Sequence, residues 1–166
     1  MIEMVYQTGA LSFTAGEPSM DLIETGRIQQ ALWESFENPG DLLSYYHDPC
    51  GLVPLREWIV DWMKTDGLLP TETDPNSVHL TAGSQEGLNL IAESLIEEGD
   101  LVVTENPSYP EAFLAFVKEG ARLQSVYLDS QGPSPEEIEN IAKRDKVKIF
   151  YTIPCFQNPS GSVTSK

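Results

Sequence analysis

The chain contains little positive charge. Its 166 residues include 10 Lys and Arg against 26 Asp and Glu, which gives a net charge of −16. A nucleic-acid backbone is bound through a positively charged surface, so we expect no nucleic-acid partner. Backbone N–H groups at a helix start can still bind a small anion in a chain of this charge.

Cysteine and histidine are also scarce. Cys50 and Cys155 form no CxxC motif, and neither His47 nor His79 has further ligands at metal-binding spacing. The sequence therefore predicts neither a metal site nor a disulfide framework.

Long hydrophobic runs are missing as well. No apolar segment approaches the roughly 20 residues of a membrane span. The N-terminus lacks the basic and apolar regions of a secretory signal. We therefore expect a cytoplasmic protein that binds no membrane.

Short apolar segments and amphipathic segments alternate regularly after Pro70. The pattern predicts strands at 78–81, 101–104, 122–128 and 147–153, and helices at 84–98, 108–119 and 135–143. The last helix should start from Ser134 as its N-cap, with Glu137 three residues on. Such an alternation indicates an α/β fold with a mostly parallel sheet and flanking helices.

Two further helices are predicted before Pro70, at 21–37 and 55–67. Within the second, Trp58 and Trp62 lie at helical spacing, and we expect both in the core.

Ligands of parallel sheets bind at the carboxyl ends of the strands. Four segments fit that rule: 82–85, 105–109, the tip after Leu128, and 154–161. In the first, LTAGSQEGL, a strand runs through Gly83 into a helix start that can bind a phosphate. Ser84 adds a hydroxyl donor. Alternatively, Thr81 or Ser84 serves only as a helix N-cap.

Two other segments carry single candidate residues. Tyr109 lies at a strand end, where its ring can either stack on a flat ligand or pack against the neighbouring loop. Asn158 offers amide donors, and Pro159 restricts its backbone; the pair is also a common turn. In SYYHDPCG, residues 44–51, the tyrosines can fill the core or donate hydroxyl groups.

Taken together, these segments resemble the fold-type I aminotransferases, which use pyridoxal 5′-phosphate (PLP). The similarity is strongest to the branch with 2-aminoadipate and kynurenine aminotransferases, and MocR-type regulators share the pattern. Five segments match in the family's order: FTAGEP (13–18), YHDPCGLVPLREWI (46–59), LTAGSQEGLNLIA (80–92), GDLVVTENPSYP (99–110) and PCFQNPSG (154–161).

The resemblance implies roles for several residues. Ser84 and Gln85, with Gly83, would bind the cofactor phosphate. Tyr109 would stack on the pyridine ring. Asn158 would donate a hydrogen bond to the phenolic oxygen of that ring and also contact the substrate.

Two further roles concern other parts of the site. Tyr46 would reach the phosphate bound by the partner subunit of a homodimer, and Gly16 would approach the substrate carboxylate. The resemblance also divides the chain. Residues 1–51 would form an N-terminal arm and loop segment of the small domain and dimer interface. Residues 52–166 would form the first, incomplete part of the PLP-binding large domain.

The resemblance also implies residues that this sequence does not match. The Schiff-base lysine should lie well beyond the Asn158 motif, and Lys166 is too close to it. We therefore expect an N-terminal fragment that is inactive alone. The complete enzyme would move an amino group from an amino acid to a 2-oxo acid, although lyases share the scaffold.

Two alternatives remain at this stage. One is the aminotransferase-like sensor domain of a MocR-type transcription regulator, with a DNA-binding part before residue 1. The other is the product of a disrupted gene.

Overall fold

The computed structural model describes residues 18–37, 39–40 and 46–165. The chain divides into two units, Met1–Asp48 and Pro49–Lys166. In the first unit, a 3₁₀ turn at Met20–Leu22 precedes helix α1, Thr25–Glu37, which buries none of its residues.

The second unit contains four helices and four strands within its described residues. The helices are α2 (Val53–Thr65), α3 (Ser84–Leu95), α4 (Pro110–Lys118) and α5 (Pro135–Arg144), and a 3₁₀ turn spans Pro75–Ser77. The strands are β1 (Leu101–Asn106), β2 (Arg122–Asp129), β3 (Gly132–Pro133) and β4 (Val147–Tyr151). None of the helices in the described part of the chain is long and apolar enough to cross a membrane.

The four strands form one sheet in the order β3-β2-β1-β4. β1 runs parallel to both β2 and β4, whereas β3 folds back antiparallel to β2. The parallel strands are connected through helices α4 and α5, as in βαβ units. The predicted α/β fold with a mostly parallel sheet is confirmed.

Helices cover both faces of the sheet. Successive side chains of β1 point to opposite faces, so Val102 packs with α3 and α4, whereas Leu101 and Val103 pack with α5. The α3–α4 side is centred on Phe116, and the α5 side on Ile141. Burial on both faces explains why β1 begins as a continuous apolar run rather than an alternating one.

Helix α5 begins where the spacing of Ser134 and Glu137 predicts. The Ser134 hydroxyl caps it by accepting a hydrogen bond of 3.3 Å from the backbone N–H of Glu137. The Glu137 carboxylate does not return to Ser134 but accepts the Tyr127 N–H at 2.9 Å. Glu137 therefore connects the start of α5 to β2.

The predicted strand at 78–81 is wrong. Residues 78–81 are irregular, and their one backbone bond to a distant segment runs from the Leu80 N–H to the Cys50 carbonyl, at 2.9 Å. A strand requires a neighbouring strand, and this segment has none among the described residues.

The expectation that Trp58 and Trp62 lie in the core is also wrong. Their exposed fractions are 61% and 50%. Helix α2 instead buries Arg56 and Val60, and the Arg56 guanidinium lies 3.5 Å from the carbonyl of Pro75. The helical spacing located an apolar stripe but not the element that would cover it.

Candidate functional site

The carboxyl ends of β1 and β4 meet at a buried carboxylate. Glu105, near the end of β1, is only 1% exposed. It accepts hydrogen bonds from the Thr152 hydroxyl, the Ile153 N–H and the side-chain amide of Gln157. The N–H and amide bonds each measure 3.2 Å. The segment that follows β4 is therefore held against the end of β1.

Gln157 extends this connection in two directions. Its side-chain N–H₂ also donates to the Pro107 carbonyl at 2.8 Å. Its side-chain oxygen accepts from the N–H and hydroxyl of Ser160, at 2.9 and 2.7 Å. Gln157 is 2% exposed, so one buried amide joins the 105–109 and 154–161 segments.

Helix α3 begins without a side-chain cap. Gly83 is its N-cap residue, with φ +94° and ψ 168°, and no side chain caps the helix there. The alternative of a Thr81 or Ser84 cap is therefore wrong; the Thr81 hydroxyl donates to the Gly83 carbonyl at 3.0 Å. First-turn N–H groups have no partner within their own helix, so this start can accept an anion.

The space beside this helix start is open. A Cβ atom built on Gly83 would meet no heavy atom within 4 Å. The neighbouring Glu86 carboxylate turns back to accept the Ala82 N–H. The N–H donors of this helix start and the open space beside Gly83 are thus compatible with a bound anion, while the Glu86 carboxylate is engaged with the backbone.

Gln85 connects α3 to the start of α4. Its side-chain amide donates to the Glu111 carbonyl at 3.3 Å, and its side-chain oxygen is buried without a partner among the described residues. Tyr109, the N-cap residue of α4, is half-buried against the cluster around Phe116. Hydrogen bonds thus connect the start of α3 to the first turn of α4, and separately join the 105–109 segment to the 154–161 segment.

Tyr151 lies beneath this linked edge. Its ring contacts Phe116 edge-on, with ring centroids 5.7 Å apart. Burial raises the pKa of the Tyr151 phenol above its ordinary value, and the nearby Tyr109 and Glu105 add to the shift. The phenol is therefore neutral under ordinary conditions.

Asn158 follows the buried Gln157 directly and is exposed. Its side-chain amide has no hydrogen-bond partner within the described part of the chain, so it is available to a ligand. The turn that holds it is closed by the Gln157 N–H, which donates to the Ser162 carbonyl at 2.9 Å. The Asn158–Pro159 peptide bond is cis.

The remaining candidates are Tyr46, Gly16 and the tip after Leu128. Tyr46 belongs to the first unit and is fully exposed, and Gly16 lies outside the described residues. The tip after Leu128 forms the β2–β3 hairpin. Its Gln131 carbonyl accepts a hydrogen bond of 2.8 Å from the Ser165 N–H.

Sequence reasoning assigned no role to Glu105 or Gln157, although both lie inside selected segments. The available signal was the position of Glu105, a charged residue directly after the apolar run of β1. A buried carboxylate needs hydrogen-bond donors, and the next strand end is where they are found.

The structure is an α/β domain. Near the carboxyl ends of its strands lie a helix start that can bind an anion, the ring of Tyr109 and the amide of Asn158. The model of the aminotransferase class I and II family matches residues 9–166. The chain belongs to that family, which confirms the resemblance seen in its five segments.

Individual relatives agree with this assignment. Over 164 residues the chain is 32% identical to a 2-aminoadipate transaminase of Thermus thermophilus, covering 99% of this chain and 39% of the relative. The crystal structure of Pyrococcus horikoshii kynurenine aminotransferase, in complex with PMP, aligns with a TM-score of 0.90 and 29% identity, over 99% of this chain and 41% of that one. This chain therefore spans about two-fifths of the length of these relatives.

One similar protein is named as a regulator rather than an enzyme. It is the uncharacterized HTH-type transcriptional regulator YisV of Bacillus subtilis, 30% identical over 151 residues. That match covers 91% of this chain and 30% of the regulator.

Proposed function

We propose that these residues belong to a PLP-dependent aminotransferase that moves an amino group from an amino acid to a 2-oxo acid. The observation that carries the proposal is the hydrogen-bonded edge, which holds an uncapped helix start, Tyr109 and Asn158 on adjoining segments. The PMP bound by the Pyrococcus horikoshii enzyme supports this choice of cofactor. When bound, the pyridine ring of PLP supplies an electron sink.

The helix start would bind the cofactor phosphate. The N–H groups of Ser84 and Gln85 point out of the first turn of α3, and the helix dipole favours a negative charge there. Gly83 lets the phosphate approach the backbone because no side chain fills the space beside it. The Ser84 hydroxyl adds a donor.

The other two segments would hold the ring. Tyr109 offers an aromatic face for stacking. The Asn158 amide would donate to the phenolic oxygen, which favours the ionised phenolate, and it would also lie beside the substrate. Hydrogen bonds of Gln157 and Ser160 hold the backbone on either side of Asn158, which limits the positions that its amide can reach.

Several parts of the proposal rest on the resemblance. Tyr46 would reach the phosphate of the partner subunit in a cytoplasmic homodimer, and Gly16 would approach the substrate carboxylate. Residues 1–51 would form the arm and interface segment, and residues 52–166 the first part of the large domain. Neither nucleic acid nor membrane would be a partner.

The test is PLP binding by the protein expressed from its own gene. Asn158→Ala and Tyr109→Ala should each weaken PLP binding about tenfold, since each removes roughly 1.4 kcal/mol of interaction with the ring. Asn158→Ala should also change the absorption spectrum of bound PLP. Asn140→Ala and Tyr127→Ala, at exposed positions, are the matched controls. If neither test variant differs from its control, the site assignment is wrong.

The similarity to YisV favours a second candidate, the sensor domain of a transcription regulator. Such a protein would carry a helix-turn-helix segment encoded in frame ahead of residue 1 and would shift duplex DNA in a gel. Amino-group transfer from amino acids to 2-oxoglutarate without DNA binding would exclude it.

A further inference from the structure

We propose that Glu105 and Gln157 are positioning residues, which set the spacing between the segments that carry Tyr109 and Asn158. This inference rests on the proposed function. Neither side chain needs to touch the cofactor, because both are almost fully buried beneath the edge. Their role would be to hold the ring-stacking and ring-bonding groups at one fixed separation.

The carboxylate of Glu105 fixes the position of the segment that follows β4. All three of its donors belong to that segment: the Thr152 hydroxyl, the Ile153 N–H and the Gln157 amide. A buried charge without donors is costly, so it favours the one arrangement that supplies them. An apolar pair could bury as much surface but would tolerate a shift in the segment's position.

Gln157 completes the connection because it bonds on both sides. Its amide donates to Glu105 and to the Pro107 carbonyl, two residues before Tyr109. Its side-chain oxygen binds Ser160, two residues after Asn158. The side chain of Gln157 therefore contacts the backbone near Tyr109 and the backbone near Asn158.

Exchanging the two functional groups tests this geometry in the protein expressed from its own gene. In Glu105→Gln, an amide replaces the carboxylate and leaves one accepting oxygen for the three donors. In Gln157→Glu, two carboxylates face each other. The double exchange restores one donor and one acceptor between the two positions, but a carboxylate oxygen then faces the Pro107 carbonyl, which had accepted the Gln157 N–H₂ at 2.8 Å.

We expect each single variant to bind PLP about tenfold more weakly, and the double variant to recover part of the loss seen in Gln157→Glu. The absorption spectrum of bound PLP should change in the single variants as it does in Asn158→Ala, and recover in part in the double variant. Thr152→Val, which removes one donor, gives a milder variant if the single exchanges do not fold. It should weaken PLP binding about threefold.

Ile141→Ala is the control, since Ile141 lies in the cluster on the α5 face of the sheet. It should lower the thermal midpoint without changing PLP affinity or the bound spectrum. If Glu105→Gln and Thr152→Val behave like Ile141→Ala, their role is structural and the inference is overturned, while the proposed function stands on the Asn158→Ala result. If the wild-type protein does not bind PLP, the proposed function fails and the inference fails with it.

Discussion

Two regions of the second unit invert the usual relation between polarity and burial. At the carboxyl edge of the sheet, Glu105 and Gln157 are 1% and 2% exposed. On the outer stripe of α2, Trp58 and Trp62 are 61% and 50% exposed, and their stacked rings lie 5.7 Å apart. The charged and amide groups are inside, whereas the indole rings face outward.

The difference shows that burial here follows partners rather than hydropathy. Glu105 is buried because another segment supplies its donors, which offsets the cost of removing a charge from water. The tryptophans contact each other, but within the described residues no element covers their stripe. Hydropathy indicates whether a side chain favours burial, and the neighbouring elements determine whether it is buried.

Among the polar residues and the exposed stripe, the largest expected effect comes from breaking the buried polar edge at Glu105. Glu105→Ala would leave the Ile153 N–H and one N–H of the Gln157 amide without an acceptor in a largely buried environment. We expect the free energy of unfolding to fall by about 3 kcal/mol. Urea denaturation would measure it.

Glu139→Ala is the matched control for this carboxylate. Glu139 is exposed and pairs with Lys143 at 2.8 Å, and surface pairs of this kind contribute about 0.5 kcal/mol or less. Equal effects of Glu105→Ala and Glu139→Ala would show that the buried network adds no stability.

The sequence predicted those parts of the fold that depend on local pattern. The apolar run at 101–104 identified β1, and the alternation of segments identified the α/β class. Ser134 with Glu137 located the start of α5. Each of these depends on residues close together in the chain, where periodicity and capping chemistry act directly.

The features that the sequence did not predict depend on contacts between residues far apart in the chain. Glu105 and Gln157 are 52 residues apart, and their contact follows only from the adjacency of β1 and β4. The 78–81 segment has strand-forming residues but no neighbouring strand among the described residues. The site residues Tyr109 and Asn158 were selected because a parallel sheet collects its carboxyl ends at one edge, whereas Ser84 was selected as following a strand that the structure does not form.

A smaller effect is expected at the uncapped helix start. Gly83→Ala would place a side chain at φ +94° and ψ 168°, a conformation that costs a non-glycine residue about 1–3 kcal/mol. Open space around the site does not relieve that cost, because it arises within the backbone. We expect a lower urea midpoint and weaker PLP binding.

Gly87→Ala, one turn along the same helix, is the matched control. Its new Cβ would lie 3.7 Å from the Thr81 hydroxyl, an ordinary contact. Replacing a helical glycine with alanine should raise stability by about 0.5–1 kcal/mol. Opposite signs for the two glycines would confirm that conformation, rather than space, limits Gly83.

The exposed stripe should give a smaller effect still. Trp58→Ala removes a ring that is mostly in water and stacked on Trp62, so we expect a loss of under about 1 kcal/mol in the free energy of unfolding. Phe116→Ala, at a buried ring, should cost about 3–5 kcal/mol. A loss of several kcal/mol for Trp58→Ala would show that a contact beyond those described covers the stripe.

The smallest effect concerns Tyr151 and appears only in alkaline solution. Because burial raises the pKa of its phenol in the folded state, the folded chain holds this proton more tightly than the unfolded chain does. The resulting stability is fully present below the ordinary tyrosine pKa and is lost as the pH rises through the folded value. Ultraviolet titration of tyrosinate should therefore show one late-ionising tyrosine that is absent in Tyr151→Phe. If Tyr151→Phe instead lost amplitude in the phase of the ordinary tyrosines, the pKa of the Tyr151 phenol would not be raised and its ring would be accessible to water.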